Sequence, residues 1–502
     1  MARIKIDLDR RIGTVDRRIF GGFIEHLGRC IYGGIFDEGS PLSDERGFRL
    51  DVVQALRDLR IPVLRWPGGN FASGYHWVDG IGPRDQRPRR MNLAWHIEES
   101  NRFGTDEFIA YCRLVGAEPY ICVNLGSGTI DEAQAWVEYC NGTGHTYWAN
   151  LRRQHGYPEP YGVKLWGLGN EMYGSWQIGA LSADDYVAKA REFSKVMRMT
   201  DPSIQLVSCG WNGWSDWDRV VLEGLARYVD YHSIHLYTGS PDYYGNVLSP
   251  HLADFALASC QALIDRVRYE QGIDHPIYVA YDEWNVWFRQ WGYEASVAGL
   301  EERYTLADAL AVATYLNIFI RNIFIRRCRT VRLANLAQMV NVIAPIFTNP
   351  EGLFLQSIYH PFRLYSEWTL DVALDAFVEA ETYHLSSEQE ARSPWRHRVA
   401  RLGPFALLDA ACTVNSTGEE ITLAVVNRDL QRAVQATIEF VGTAVRPGAL
   451  VREVNGPGPD ASNSFDQPAI VSVSERALDT GGWTISYEFP AHSVTLIRFH
   501  VA

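Results

Sequence analysis

The chain has 502 residues, 47% of them hydrophobic and 21% charged, with a formal net charge of −13. That composition excludes a disordered chain and leaves room for a large core, about two to four domains by length alone. The acidic balance argues against nucleic acid or an anionic membrane as partner and suits a neutral polymer or small molecule.

Sixteen Trp and 25 Tyr mildly favour a carbohydrate ligand, although large cores also use aromatic rings. The eight cysteines (Cys30, Cys112, Cys122, Cys140, Cys209, Cys260, Cys328 and Cys412) are scattered, without a CxxC pair. They read as small hydrophobes in a reducing compartment, not as a disulfide framework. The first ten residues alternate apolar and charged side chains, unlike a secretory signal, and no apolar run of about 20 residues stands out as a membrane span. The expected location is the cytoplasm.

From residue 17 to 370, short β-rich runs alternate with amphipathic helical stretches. In chain order they are a strand at Phe20–Ile24, a helix at Gly47–Leu59, a strand at Val63–Trp66 and a helix at Thr105–Val115. A strand at Tyr120–Asn124, a helix at Asp131–Asn141, a strand at Lys164–Leu168 and a helix at Ser182–Thr200 follow. Then come a strand at Gln205–Ser208, a helix at Asp216–Tyr228, a strand at Ser233–Leu236 and a helix at Pro250–Gln271. Strand Ile277–Tyr281, helix Leu306–Arg326 and strand Thr330–Asn335 complete the series. Ser182 and Gly104, each followed by acidic residues, mark helix N-caps. Eight βα units predict an α/β fold with a closed (β/α)8 TIM barrel. From residue 371 to 502 the text turns to Gly- and Pro-punctuated alternating runs (Ile421–Asn427, Val434–Val441, Trp483–Phe489, Ser493–Phe499). These predict an antiparallel β-sandwich, to which Ile4–Leu8 adds a strand from residues 1–16.

A TIM barrel builds its site at the C-terminal ends of its strands. The polar residues there are Glu25, His26, Gly68-Gly69-Asn70, Asn124, Asn170-Glu171, Trp211-Asn212, His235, Tyr237, Glu283-Trp284 and Gln338. So many acids and amides at one mouth are costly to bury without partners or a ligand. A single Glu at a strand end is ordinarily a helix cap or an ion-pair partner. Glu171 and Glu283, however, repeat one context: a β-run, a small or polar residue, Glu, then Met or an aromatic. Two such carboxyls facing one bond are what glycoside hydrolysis requires. Gly68-Gly69 is a tight turn or a place where backbone approaches a ligand. His232 and His235, three apart on a strand, fall on opposite faces and make a poor metal pair. Trp287 and Trp291 read equally as sugar platforms or as lid packing. Gly167-Leu-Gly169-Asn-Glu-Met172 begins like a dinucleotide-binding loop but lacks the third glycine and an immediate helix.

Several long motifs resemble one family. They are Glu25–Gly34 (EHLGRCIYGG), Arg65–Asn70 (RWPGGN), Gly82–Arg90 (GPRDQRPRR), Gly169-Asn-Glu171, Asp282–Trp287 (DEWNVW) and Leu336–Pro345 (LAQMVNVIAP). The chain resembles, essentially end to end, the α-L-arabinofuranosidases of glycoside hydrolase family 51. The resemblance implies a (β/α)8 barrel followed by a β-sandwich, and retaining, exo-acting release of terminal α-L-arabinofuranosyl groups from arabinan, arabinoxylan or their oligosaccharides. It also implies no metal or organic cofactor, a cytoplasmic location and a homohexamer. Carried over by motif, Glu171 would be the acid/base and Glu283 the nucleophile. Glu25, Asn70, Trp95, Asn170, Tyr237 and Gln338 would bind substrate. In this chain the sequence after His235 (His235–Asn246, HLYTGSPDYYGN) is longer than in many relatives. Tyr237 is the better match there, with Tyr243 or Tyr244 as substitutes, and the longer loop would shape leaving-group binding.

Retention requires the two carboxyls about 5–5.5 Å apart, and the charge on Glu283 would then hold Glu171 protonated near neutral pH. The competing readings are a retaining endo-β-glycanase acting on glucan or xylan and a non-catalytic carbohydrate-binding protein.

Overall fold

A computed structural model describes residues 2–325 and 328–502. Eight strands close into a barrel: β1 (Gly21–Phe23), β2 (Val63–Trp66), β3 (Glu118–Val123), β4 (Leu165–Leu168), β5 (Gln205–Ser208), β6 (Tyr231–Thr238), β7 (Tyr278–Val286) and β8 (Val331–Ala337). Each is parallel to its neighbours, and β8 closes on β1. Inside the barrel Val63, Tyr120, Leu165, Val207, Tyr231, Ala280 and Leu333 form a separate buried layer. That layer makes the barrel a packed core and leaves its C-terminal mouth for chemistry.

The ring of helices includes α1 (Leu50–Asp58), α2 (Thr105–Val115), α3 (Ile130–Asn141), α4 (Ala183–Thr200), α5 (Asp216–Leu225), α6 (Leu252–Gln271) and α7 (Leu306–Arg321). Both predicted caps form. Ser182 Oγ accepts from the Asp185 amide at 3.2 Å, and the Glu107 carboxylate accepts from the Gly104 amide at 2.9 Å. Helix α7 stops at Arg321, short of the predicted end; a strand at Phe324–Ile325 follows, and Arg326 lies outside the described residues. One reading needs correction. Tyr243–Gln271 is long and apolar enough to cross a membrane by length and composition. It is nevertheless interrupted at Ser249–His251, and Leu252, Ala253, Ala256, Leu257, Cys260 and Ile264 of α6 are buried in the core, which accounts for its apolar character.

Beyond the barrel, a seven-stranded sheet faces a four-stranded one across a second apolar core that includes Ile4, Ile6, Leu423, Val425, Ile438, Ile485 and Phe499. The N-terminal strand Ala2–Asp7 does join this sandwich, but it runs parallel to Val434–Val441, so the sandwich is not wholly antiparallel. Two of its other strands carry no alternating signal, for opposite reasons. Leu408–Val414 is buried along its whole length, and Ser472–Leu478 is an edge strand exposed nearly throughout.

Barrel and sandwich share buried polar ties. Arg321 of α7 donates to Asp409 Oδ1 at 2.9 Å, Asn317 donates to its Oδ2 at 2.8 Å, and Arg428 donates to His251 Nε2 at 2.6 Å. Burial pushes the Asp409 carboxyl up, but Arg321, Arg428 and His251 outweigh it and hold it down at about 2. Its contribution to stability is therefore complete above the ordinary carboxylate range and is lost as pH falls towards 2. Asp409→Ala leaves the partly buried Arg321 with the more distant Asp254 carboxylate, 3.7 Å away, and we expect a loss of about 2–3 kcal/mol in urea unfolding at pH 7. A loss under about 1 kcal/mol would mean that water replaces the pair.

Candidate active site

Where β6 meets β7, the ladder slips. Ser233 pairs with Ala280, yet His235 pairs with Glu283, so β7 carries one extra residue. Regular pleating sends neighbouring side chains to opposite faces, and a bulge breaks that alternation. Asp282 and Glu283 accordingly both reach barrel-interior partners. Tyr120 of β3 donates to Asp282 Oδ2 at 2.7 Å, while Arg65 of β2 donates to Glu283 Oε1 at 2.6 Å. The predicted strand end at Tyr281 is thus overrun: β7 continues through Glu283 to Val286.

Glu171 follows β4 with φ +43, a left-handed conformation rare outside glycine, two residues after Gly169 at φ +77. No helix begins until Ala183, which disposes of the dinucleotide-loop reading. The Glu171 carboxylate accepts from Tyr173 Oη (3.1 Å) and Trp176 Nε1 (2.9 Å). His235 stands between the two acids. Its Nδ1 lies 3.0 Å from Glu171 Oε1 and 3.5 Å from Glu283 Oε1, and its Nε2 lies 2.8 Å from Asp282 Oδ1. One oxygen of Glu171, one of Glu283 and a ring nitrogen of His235 lie within 4.8 Å of one another.

Burial disfavours the His235 cation, but Glu283 and Asp282 outweigh it and push the imidazole up to about 10. Burial likewise raises the Glu171 carboxyl, but His235, Trp176 and Tyr173 outweigh it and hold the group below its ordinary value. This departs from the expectation that the charge on Glu283 holds Glu171 protonated: Glu171 lies 3.0 Å from His235 Nδ1, and the two titrate as a unit. With one ring nitrogen against Glu171 and the other against Asp282, His235 is placed to share protons with both carboxylates.

The other sequence-derived residues gather on the same mouth. Tyr237 Oη donates to Glu283 Oε2 at 2.9 Å. Asn170 Oδ1 accepts from Arg65 at 2.6 Å, while its Nδ2 is buried without a partner. Glu25 Oε1 accepts from Trp95 Nε1 and the Phe71 amide, both at 2.9 Å, and its Oε2 accepts from Gln338 Nε2 at 2.9 Å. Burial pushes Glu25 up to about 7 against those donors, and nearby Glu283 adds to the rise. Gln338 Oε1 is buried and unpartnered. At Gly69 a Cβ would sit 3.4 Å from both Glu25 Oε2 and Glu283 Oε1 and 3.5 Å from Asn170 Nδ2, so backbone itself lines the pocket. Half-buried Asn70 follows it.

Other collected residues serve the scaffold. His26 bonds Glu99 and accepts from Trp66, Asn124 and Asn212 tie their own turns, and His232 lies outside the mouth against Asp218 and Ser208. Tyr243 and Tyr244 do not replace Tyr237. Tyr243 donates to the Arg428 carbonyl at 3.2 Å, and Tyr244 stacks on Tyr383 at 3.8 Å, both in the C-terminal part.

The family model for the α-L-arabinofuranosidase 1 domain matches residues 55–249, and that for the α-L-arabinofuranosidase C-terminal domain matches residues 282–493. The chain is 41% identical to α-L-arabinofuranosidase C of Emericella nidulans, over 99% of this chain and 97% of that one. It is 40% identical to an intracellular exo-α-(1→5)-L-arabinofuranosidase of Halalkalibacterium halodurans, over 85% of each. A crystal structure of the Thermotoga maritima α-L-arabinofuranosidase with arabinose superposes with a TM-score of 0.90 and 41% identity, covering both chains completely. The chain belongs to the α-L-arabinofuranosidases of glycoside hydrolase family 51. A bifunctional glucanase-xylanase at 14% identity and TM-score 0.61 shares this glycosidase's fold alone.

Three residues of this family-51 site escaped the sequence reading: Arg65, His235 as a proton holder, and Asp282. Arg65 had a signal, since a cation inside the apolar run Val63-Leu-Arg-Trp66 must find buried partners. His235 and Asp282 gain their roles from the bulge, which no periodicity announces. Because His235 keeps the shared proton to high pH, His235→Asn should move the alkaline limb of the kcat/KM–pH profile to lower pH. An unchanged limb would show that His235 does not carry that proton.

Proposed function

We propose that this glycosidase removes terminal α-L-arabinofuranosyl groups with retention of configuration, Glu171 acting as acid/base and Glu283 as nucleophile. The observation that carries the proposal is the close approach of two carboxylates in unlike surroundings, their nearest oxygens within 4.8 Å. That bound is compatible with the short separation of retaining enzymes, about 5–5.5 Å between carboxyl groups.

Glu283, aimed by Arg65 and Tyr237, attacks the anomeric carbon while Glu171 passes the proton shared with His235 to the departing oxygen. Esterification of Glu283 removes one of the carboxylates that raise the His235 pKa. Glu171 then takes a proton from water, which releases the sugar. Two buried atoms await the substrate: the Asn170 amide N–H can donate to a sugar hydroxyl, and Gln338 Oε1 can accept from one. We assign Glu25 to a further hydroxyl pair, Asn70 to the ring edge and Trp95 to the pocket wall. In this reading the chemistry belongs to residues 17–370, and residues 371–502 with the 1–16 strand form the companion β-sandwich. Arabinan, arabinoxylan and their oligosaccharides are the proposed substrates, and the exo-(1→5) activity in the name of the H. halodurans relative supports this. The same name supports a cytoplasmic location, as do Cys30, Cys112, Cys122, Cys140, Cys209, Cys260 and Cys412, which are free and buried. A homohexamer is the assembly proposed, measurable by light scattering.

On a panel of nitrophenyl glycosides the arabinofuranoside should be turned over far faster than the xyloside, glucoside or galactofuranoside. A preferred glucoside or xyloside would return the endo-glycanase reading. Glu283→Ala should abolish turnover throughout. Glu171→Ala should cost about 10²–10⁴-fold on natural linkages and much less on aryl arabinofuranosides, whose leaving group needs no proton. Equal losses on both, or an inverted anomer in NMR of the first product, would contradict the assignment.

A further inference from the structure

Residues 393–397 lie beyond the barrel, between a short helix at Ser387–Glu390 and a turn at Val399–Leu402. They nevertheless meet the catalytic mouth through three alternate side chains. Ser393 Oγ donates to the Gly239 carbonyl at 2.7 Å, Trp395 Nε1 to the Trp287 carbonyl at 2.6 Å, and His397 Nε2 to the Tyr237 carbonyl at 3.0 Å. Burial lowers the His397 pKa, which suits a neutral ring donating from Nε2. All three acceptors lie at or just past the ends of β6 and β7.

Between those bonds lies an aromatic block. The Trp395 indole stacks on Tyr237 (centroids 5.6 Å, planes 15° apart) and on His397 (6.0 Å, 3°). Trp287 and Trp291 meet it edge-on at 5.5 and 4.7 Å. Tyr237 in turn gives its hydroxyl to Glu283 Oε2. A phenol on a strand end can swing about its first two torsions unless its ring is held, and here one face is held by Trp395.

We propose that Ser393–His397 is a strap from the C-terminal part of the chain, and that Trp395 is a positioning residue acting on the nucleophile through Tyr237. The inference rests on the reading of Glu283 as nucleophile and goes beyond it: the sandwich side of the molecule completes the catalytic geometry as well as stabilising the fold. The longer loop after β6 serves the same docking from the other side, where Gln389 donates to Asp242 Oδ1 at 3.2 Å and Tyr244 stacks on Tyr383.

The test is a double-mutant cycle on the full-length enzyme with nitrophenyl arabinofuranoside, kcat being referred to the folded fraction from thermal melting. Misplacement of an aimed group is expressed in kcat, so Trp395→Ala should lower kcat about 10–100-fold while KM changes by less than about threefold. On a Tyr237→Phe background the same change should cost less than about twofold, because its route to Glu283 is already cut. Trp395→Phe keeps a ring over Tyr237 and should restore most of the parent kcat. If the alanine variant does not fold, Trp395→Leu and His397→Ala enter the same cycle with the same expectation. A kcat per folded molecule within twofold of the parent, or an equal loss on both backgrounds, overturns the strap and leaves the catalytic assignment standing. A parent enzyme inert towards every furanoside overturns both.

Discussion

Everything at the mouth depends on holding three carboxylates, the buried Asp282 and Glu283 and the partly exposed Glu171, against two buried cations, Arg65 and His235. Isolated charges in such a place would cost several kcal/mol each, so the barrel tolerates them only as an interlocked set. Arg65 reaches Glu283 and Asn170 and lies 3.8 Å from Asp282, while His235 touches all three acids. Neither cation makes contact with solvent to any useful extent, and their side chains are 1% and 3% exposed. The set therefore fixes geometry and proton count together. Moving one carboxylate unbalances the rest.

From this set the two glutamates take different characters. Glu283 is held by a guanidinium and a phenol. Glu171 has an imidazole, a phenol and an indole as donors, and its backbone sits in a left-handed conformation that turns it from the strand direction. Difference of environment, not of residue type, is the ground on which separate roles are proposed for them. Among the buried side-chain atoms without partners, Asn170 Nδ2 and Gln338 Oε1 lie at this mouth and could meet a hydroxylated ligand.

The C-terminal part is not a passive appendage. Its strap lays Trp395 on Tyr237, and its strand Leu408–Val414 places Asp409 between the cations of α7 and the loop at Arg428. Beside its own apolar core, the sandwich contributes Ala411, Val426, Val494 and Leu496 to the core of the barrel. Such a seam suits an enzyme whose rim must be rigid at one end of the strands.

The sequence by itself determined a good deal. Alternation of β-runs and amphipathic helices announced the barrel, because periods of 2 and 3.6 are local properties of the chain. Strand-end residues such as Asn170-Glu171 and Gln338 could be picked out because a barrel has one functional end. What local pattern could not carry was decided in three dimensions. The slip between β6 and β7, which turns both Asp282 and Glu283 inward, arises from pairing between strands distant in sequence. The fully buried strand Leu408–Val414 and the exposed edge Ser472–Leu478 showed no alternation, because burial depends on what packs against each face. The contacts of His235 with Glu171 and Asp282, and the stack of Trp395 on Tyr237, exist only where separate segments meet. Charge coupling and ring stacking act through space, and the order of residues along the chain does not encode those distances directly.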